Sequence, residues 1–115
     1  MKSMDTNDVI ACRELNKGER TYNVLIQRPY CNDEGNYVCD WSLVDDSSST
    51  VIAESVEGVD SVQALLLAFL IIGERLAFES DHFTFLGFKD TGFLRVLDSN
   101  QKGGPFWYLP LDEAD

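Results

Sequence analysis

One histidine, three cysteines and nine lysine or arginine residues among 115 positions leave little material for metal, redox or nucleophile chemistry. Cys12, Cys31 and Cys39 are odd in number, stand 19 and 8 residues apart and include no C-x-x-C pair, so neither a disulfide framework nor a zinc signature is on offer. His82 is the only imidazole. Asp81 beside it points to the opposite strand face, which removes the usual orienting partner of a Ser-His-Asp or Cys-His system. A phosphate-cradling glycine loop is missing as well, because Gly103-Gly104-Pro105 runs into Phe106 instead of Lys-Ser/Thr. Asn32-Asp33-Glu34-Gly35-Asn36 has the polarity of a calcium loop without its ligand spacing, and reads as a solvated hairpin turn. Asp45-Asp46 lie on a Ser-rich loop that offers no burial to separate their acidities. The expectation is a protein without catalytic residues, metal or cofactor.

Other absences bound the setting. The longest apolar run, residues 64–72, has nine members, where a bilayer-spanning helix needs about 20. The start, Met1-Lys2-Ser3-Met4-Asp5, has no apolar core of a secretory signal. Together these point to a cytoplasmic chain with reduced thiols and no membrane span. Twenty acids against nine bases give a net charge of −11, which opposes direct contact with a phosphate backbone.

What the chain does have is acid, unevenly placed. Residues 29–74 carry nine acids and no base, whereas the remainder carries eleven acids and nine bases. Solubility alone explains net charge, but it does not call for a 46-residue stretch without a cation. A cationic partner is the natural counterpart.

Periodicity supplies the fold class. Residues 9–15 and 21–30 are β-type runs separated by Asn16-Lys17-Gly18, a hairpin signal. Tyr22, Val24 and Ile26 share one face of the second run. In residues 37–44, Tyr37, Cys39, Trp41 and Leu43 alternate inward, with Asp40 and Ser42 outward. Asp45-Asp46-Ser47-Ser48-Ser49 forms a polar loop before a fourth strand over 50–56.

Asp60 then stands at a helix N-cap, Gln63 at the capping-box position and Val59 at the staple position against Ala64, predicting a helix over 61–78. Its middle is apolar on all sides, so something besides one sheet face must cover it, either later residues of the chain or a second subunit. Residues 82–88 read as a strand, 89–92 as a turn and 93–97 as a short strand or partial helix. The aromatic run Phe106-Trp107-Tyr108-Leu109 either docks on its own domain or binds a partner.

The whole, residues 1–115, reads as one domain with residues 1–7 frayed, 99–105 flexible and 106–115 an aromatic then acidic tail. The class is α+β: an antiparallel β-meander of about five or six strands with one long apolar helix packed on one face.

The stretch Gly58-Val59-Asp60-Ser61-Val62-Gln63-Ala64-Leu65-Leu66-Leu67-Ala68, after Arg13-Glu14-Leu15 and Ile26-Gln27-Arg28-Pro29, resembles a family of small uncharacterised bacterial proteins. In overall build the chain is similar to the small acidic immunity proteins of bacterial polymorphic toxin and contact-dependent growth inhibition systems. That resemblance implies a cytoplasmic inhibitor that binds and neutralises a basic cognate toxin domain, such as a nuclease. The residues expected to contact it are Asp33, Glu34, Asp40, Asp45, Asp46 and Glu54. Two alternatives are a nucleic-acid mimic that occupies a DNA-binding enzyme, which needs acids in regular rows, and a structural or regulatory homodimer that buries the apolar helix.

Overall fold

The computed structural model describes residues 8–77, 83–88, 91–96 and 107–108. Strands β1 (Val9–Lys17) and β2 (Arg20–Gln27) form an antiparallel hairpin. Its two-residue turn starts at Gly18, whose φ of 63° meets the need of a type II′ turn for a left-handed first position. The strand therefore continues through Asn16 and Lys17, two residues beyond its expected end.

Strand β4 (Tyr37–Asp45) is the centre of the five-stranded sheet. Along one edge it pairs with β5 (Thr50–Gly58), and along the other with β2 and with the short β3 (Tyr30–Cys31). The expected single run over 21–30 is thus two strands. Pro29 has no N–H to give the ladder, and the break falls there.

Cross-strand register fixes which side chains share a face. Leu15, Val24, Ile26, Cys39, Trp41, Leu43, Ile52 and Val56 point to one side and are buried. Helix α1 (Ser61–Ala77) crosses that side with Ala64, Ala68, Ile72 and Leu76 inward, four residues at i+4 spacing. Small alanines at the sheet-facing positions let the helix lie close over Trp41, which has no exposed surface. The result is the two-layer α+β arrangement expected, with one helix on an antiparallel sheet.

The start of the helix keeps its expected cap with two differences. Asp60 Oδ1 accepts from the Gln63 amide at 2.8 Å, while Gln63 Oε1 accepts from the amide of Val59, at 2.7 Å, one residue earlier than a capping box requires. Val59 itself is 70% exposed, so no hydrophobic staple forms. Its place is taken by Gly58, where a Cβ would stand 2.6 Å from the Ala64 nitrogen. Only a glycine lets the end of β5 come so near the first turn of the helix.

Beyond the helix, the expected strand over 82–88 is a tighter structure. Phe85 and Phe88 exchange backbone hydrogen bonds of 3.0 and 2.8 Å around Leu86-Gly87, whose φ values are 52° and 85°. Thr84 bridges to Asn16 of β1 by two backbone bonds. Phe83 is buried in the core. Strand β6 (Arg95–Val96) lies against α1 and pairs with β7 (Trp107–Tyr108), so a piece of the aromatic run is joined by backbone to its own chain. His82, residues 1–7 and 99–105, and the acidic end of the tail lie outside the described residues.

The all-round apolar helix is covered in part. At Gly73 the backbone of the 93–94 segment comes so near that a Cβ would lie 2.3 Å from the Leu94 carbonyl oxygen. Val62, Leu66 and Ile71 remain exposed.

Candidate functional site

The six acids expected at a partner surface fall into four different environments. Asp33 and Glu34 sit exposed on the β3–β4 turn. That turn is built by Asn32, whose Oδ1 accepts from the amides of Glu34 and Asn36 at 3.0 Å each, and by Gly35 at φ 85°. Glu57 of β5 holds it from the side, with Oε1 accepting from Asn32 Nδ2 at 2.8 Å and from Asn36 Nδ2 at 3.1 Å.

Asp45 and Asp46 lie at the opposite end of β4, a nine-residue strand and hence roughly 30 Å long. Asp45 is occupied with its own turn. Its Oδ1 accepts from the Ser47 hydroxyl at 2.7 Å and from the amides of Ser47 and Ser49, which ties the β4–β5 connection and stabilises Ser48 at φ 68°. Asp46 binds Arg20 of the neighbouring hairpin at 2.7 Å, and Arg20 also lies 3.4 Å from Asp45. The Ser47 and Ser49 bonds, with a lesser contribution from Arg20, hold the Asp45 carboxyl below its ordinary value, and the Arg20 hydrogen bond does the same for Asp46.

Asp40 was expected on the open polar face. It does point away from the helix, but it is 4% exposed, and Ser42 on the same side is 2% exposed. The reason is position: β4 has strands on both edges, so its outward side chains sit between those of its neighbours. Ser55, directly opposite in register, donates its hydroxyl to Asp40 Oδ1, while Asp40 Oδ2 and Ser42 Oγ have no hydrogen-bond partner.

Glu54 belongs to the other side altogether. It alternates with Ile52 and Val56 and pairs in register with Trp41, so it faces the helix, where Arg75 meets it at 3.2 Å.

Among the described residues, cations from outside the base-free stretch reach into it at two points. Arg20 engages Asp45 and Asp46, and Arg75 engages Glu54. Among the described residues, Asp33, Glu34, Glu57 and Asp60 have no such counter-ion. These four share one end of the sheet, because Tyr37 pairs with Gly58 and so sets the 32–36 turn beside the β5–α1 junction. Val59 and Val62, both exposed, lie within that acidic end. Glu57 and Asp60 were not among the expected contacts, although the two-strand register that groups them with Asp33 follows from the hairpin spacing. The alternation of Ile52, Glu54 and Val56 likewise marks Glu54 as helix-facing.

No group of three or more His, Cys, Asp or Glu side chains among the described residues is arranged to hold a metal ion. None of the described helices is long and apolar enough to cross a membrane.

Neither the curated proteins nor the solved structures contain a match to the chain. A protein family does match, over residues 11–95, which takes in β1 from its third residue, β2 to β5, the whole helix and the start of β6. With most of its length matched, the chain belongs to the family described as a domain of unknown function, DUF6968.

Proposed function

We propose that the protein is an immunity or inhibitor protein that binds a basic toxin domain in the cytoplasm and neutralises it without catalysis of its own. One observation carries this reading: Asp33, Glu34, Glu57 and Asp60 gather at one end of the sheet with no described counter-ion, around the exposed Val59 and Val62. Unpaired carboxylates steer a cationic surface and set its orientation, and desolvated apolar contacts supply much of the affinity. Asp45 and Asp46 contribute less, because Arg20 already offsets them. Turn-clustered acids do not suit a nucleic-acid mimic, which would present carboxylates in two rows.

The test is co-expression with the product of the adjacent gene, followed by affinity purification at low and at high salt. A basic protein retained at low salt, and released as salt screens the contact, supports the reading. No basic protein retained at low salt overturns it.

A homodimer is favoured by a different observation, the exposed Val62 and Leu66, one turn apart on the same face of the helix. Light scattering at micromolar concentration separates the two readings, since a strict monomer removes the second.

A further inference from the structure

Arg13 occupies an unusual place. It pairs in register with Val24, so its side chain starts on the helix side of the sheet, between the apolar Ala11 and Leu15. Its guanidinium lies 4.1 Å from the centre of the Phe85 ring and 5.0 Å from that of Phe93, and Nη1 donates to the Thr91 carbonyl at 2.9 Å. Gly92 makes this possible. It sits at φ 81°, and a Cβ there would come within 2.6 Å of Nη1. Two rings, one carbonyl and one glycine thus fix a cation in a single position. None of the described salt bridges involves Arg13, and burial pulls its guanidinium below the ordinary arginine range.

A cavity of about 330 Å³ opens beside this group, between the edge strand β1, the helix and the 92–94 segment. Apart from Arg13 its walls include Ala11, Ile26, Phe69, Phe93 and Leu94. Its volume lies at the lower end of the range of small-molecule sites, about 300–1,000 Å³, and among the described lining residues, which also include Cys12 and Gly92, Arg13 is the charged group in a largely apolar wall.

We propose that this cavity binds a small molecule with an apolar body and a carboxylate, the carboxylate resting on Arg13 and the body between Ala11, Phe69 and Leu94. The charge of the wall selects the occupant. A guanidinium offers five N–H donors in a planar fork, of which Thr91 takes one group, and a carboxylate matches the remaining geometry with two oxygens. A neutral apolar molecule would cover that cation without bringing a counter-charge, and a cationic one would be repelled. This site lies on the β1 edge and is independent of the acidic end of the sheet.

The experiment is an NMR titration of the full chain with octanoate and, separately, with octan-1-ol, which share a chain length and differ in charge. Octanoate is expected to give saturable shifts at Ala11, Ile26, Phe69 and Leu94, with a dissociation constant at least tenfold below that of octan-1-ol. Arg13→Gln should bring the two to the same value. Because Arg13 also anchors the 91–93 segment, that variant is accompanied by Ala11→Phe, which fills the cavity and should abolish binding of both probes while leaving Arg13 in place. Equal binding of the two probes to the natural chain overturns the proposal, as does the absence of saturation by octanoate or shifts centred away from these residues.

Discussion

Arg75 on the last turn of the helix meets Glu54 of β5 at 3.2 Å, and this contact gives one carboxylate of the base-free stretch a counter-ion from its own chain. The pair is half-exposed, so its worth to stability is small, under about 1 kcal/mol. Arg75→Gln is accordingly expected to shift the thermal midpoint by only a few degrees. Under the proposed function it should also leave association with a basic partner unchanged, whereas Asp33→Lys combined with Glu34→Lys should slow it. Stopped-flow association at low salt measures the difference. Equal slowing by both variants would remove the acidic end of the sheet as the contact surface.

Gly73 offers a prediction whose sign is the reverse of the usual one. Replacing a helix-interior glycine by alanine ordinarily adds about 1 kcal/mol of stability. Here the new Cβ would lie 2.3 Å from the Leu94 carbonyl oxygen and 3.1 Å from Phe93 Cβ, so the 93–94 segment must move away. Gly73→Ala is expected to destabilise by about 1–3 kcal/mol, the range for overpacking. Denaturant unfolding decides it, and a stabilised variant would mean that the segment does not press on the helix.

The three thiols differ in environment and should differ in reactivity. Cys39 has no exposed surface, and burial, with the neighbouring Asp40, pushes its thiol up to about 11. Cys12 is exposed but also raised, by partial burial and by Glu14, and its Sγ contacts Asn23 Oδ1 at 3.4 Å. Cys31 is exposed. A thiol reagent at pH 8 should therefore modify two cysteines in the native protein, Cys31 ahead of Cys12, and the third only after unfolding. Three equivalents under native conditions would place Cys39 within reach of solvent.

Acid should act through the β4–β5 turn. Asp45 and Asp46 titrate below the ordinary carboxylate value in the folded chain, so their contribution to stability is complete above the unfolded value of about 4 and is lost as the pH falls through the depressed folded values. Stability measured from pH 6 down to pH 2 is expected to decline on that limb. Asp45→Asn together with Asp46→Asn should flatten the decline, since the variant has no protons to gain there. An unchanged slope would assign the acid limb to other carboxylates.

Strand alternation and helix-start chemistry were enough to place most elements, because both are local. The period of two in Tyr37, Cys39, Trp41 and Leu43 named an inward face on which the last three are buried and Tyr37 is partly so, and Asp60 with Gln63 marked the first turn of the helix. Charge was harder to read. Arg20 and Arg75 lie outside residues 29–74 in sequence and inside that region in space, which only the pairing of β2 with β4 and of the helix with β5 reveals. Depth was not legible either. Alternation says to which side Asp40 points, while its burial follows from β4 having a strand on each edge.

That burial gives the last prediction. Asp40 is a carboxylate with almost no exposed surface, one hydroxyl donor on Oδ1 and no partner on Oδ2. Taking a charged group from water without full hydrogen bonding opposes folding, and a neutral amide in the same space opposes it less. Asn at this position keeps an oxygen for the Ser55 hydroxyl and carries no charge. Asp40→Asn is therefore expected to stabilise the fold by about 1 kcal/mol at pH 7, while Asp40→Ala, which removes the bond to the Ser55 hydroxyl and leaves that exposed group to water, destabilises it by about 1 kcal/mol. Urea unfolding of the two variants reads both signs. If Asp40→Asn is instead the more destabilised of the two, the carboxylate charge is needed in the folded chain, and a cation not yet located must stand against Oδ2.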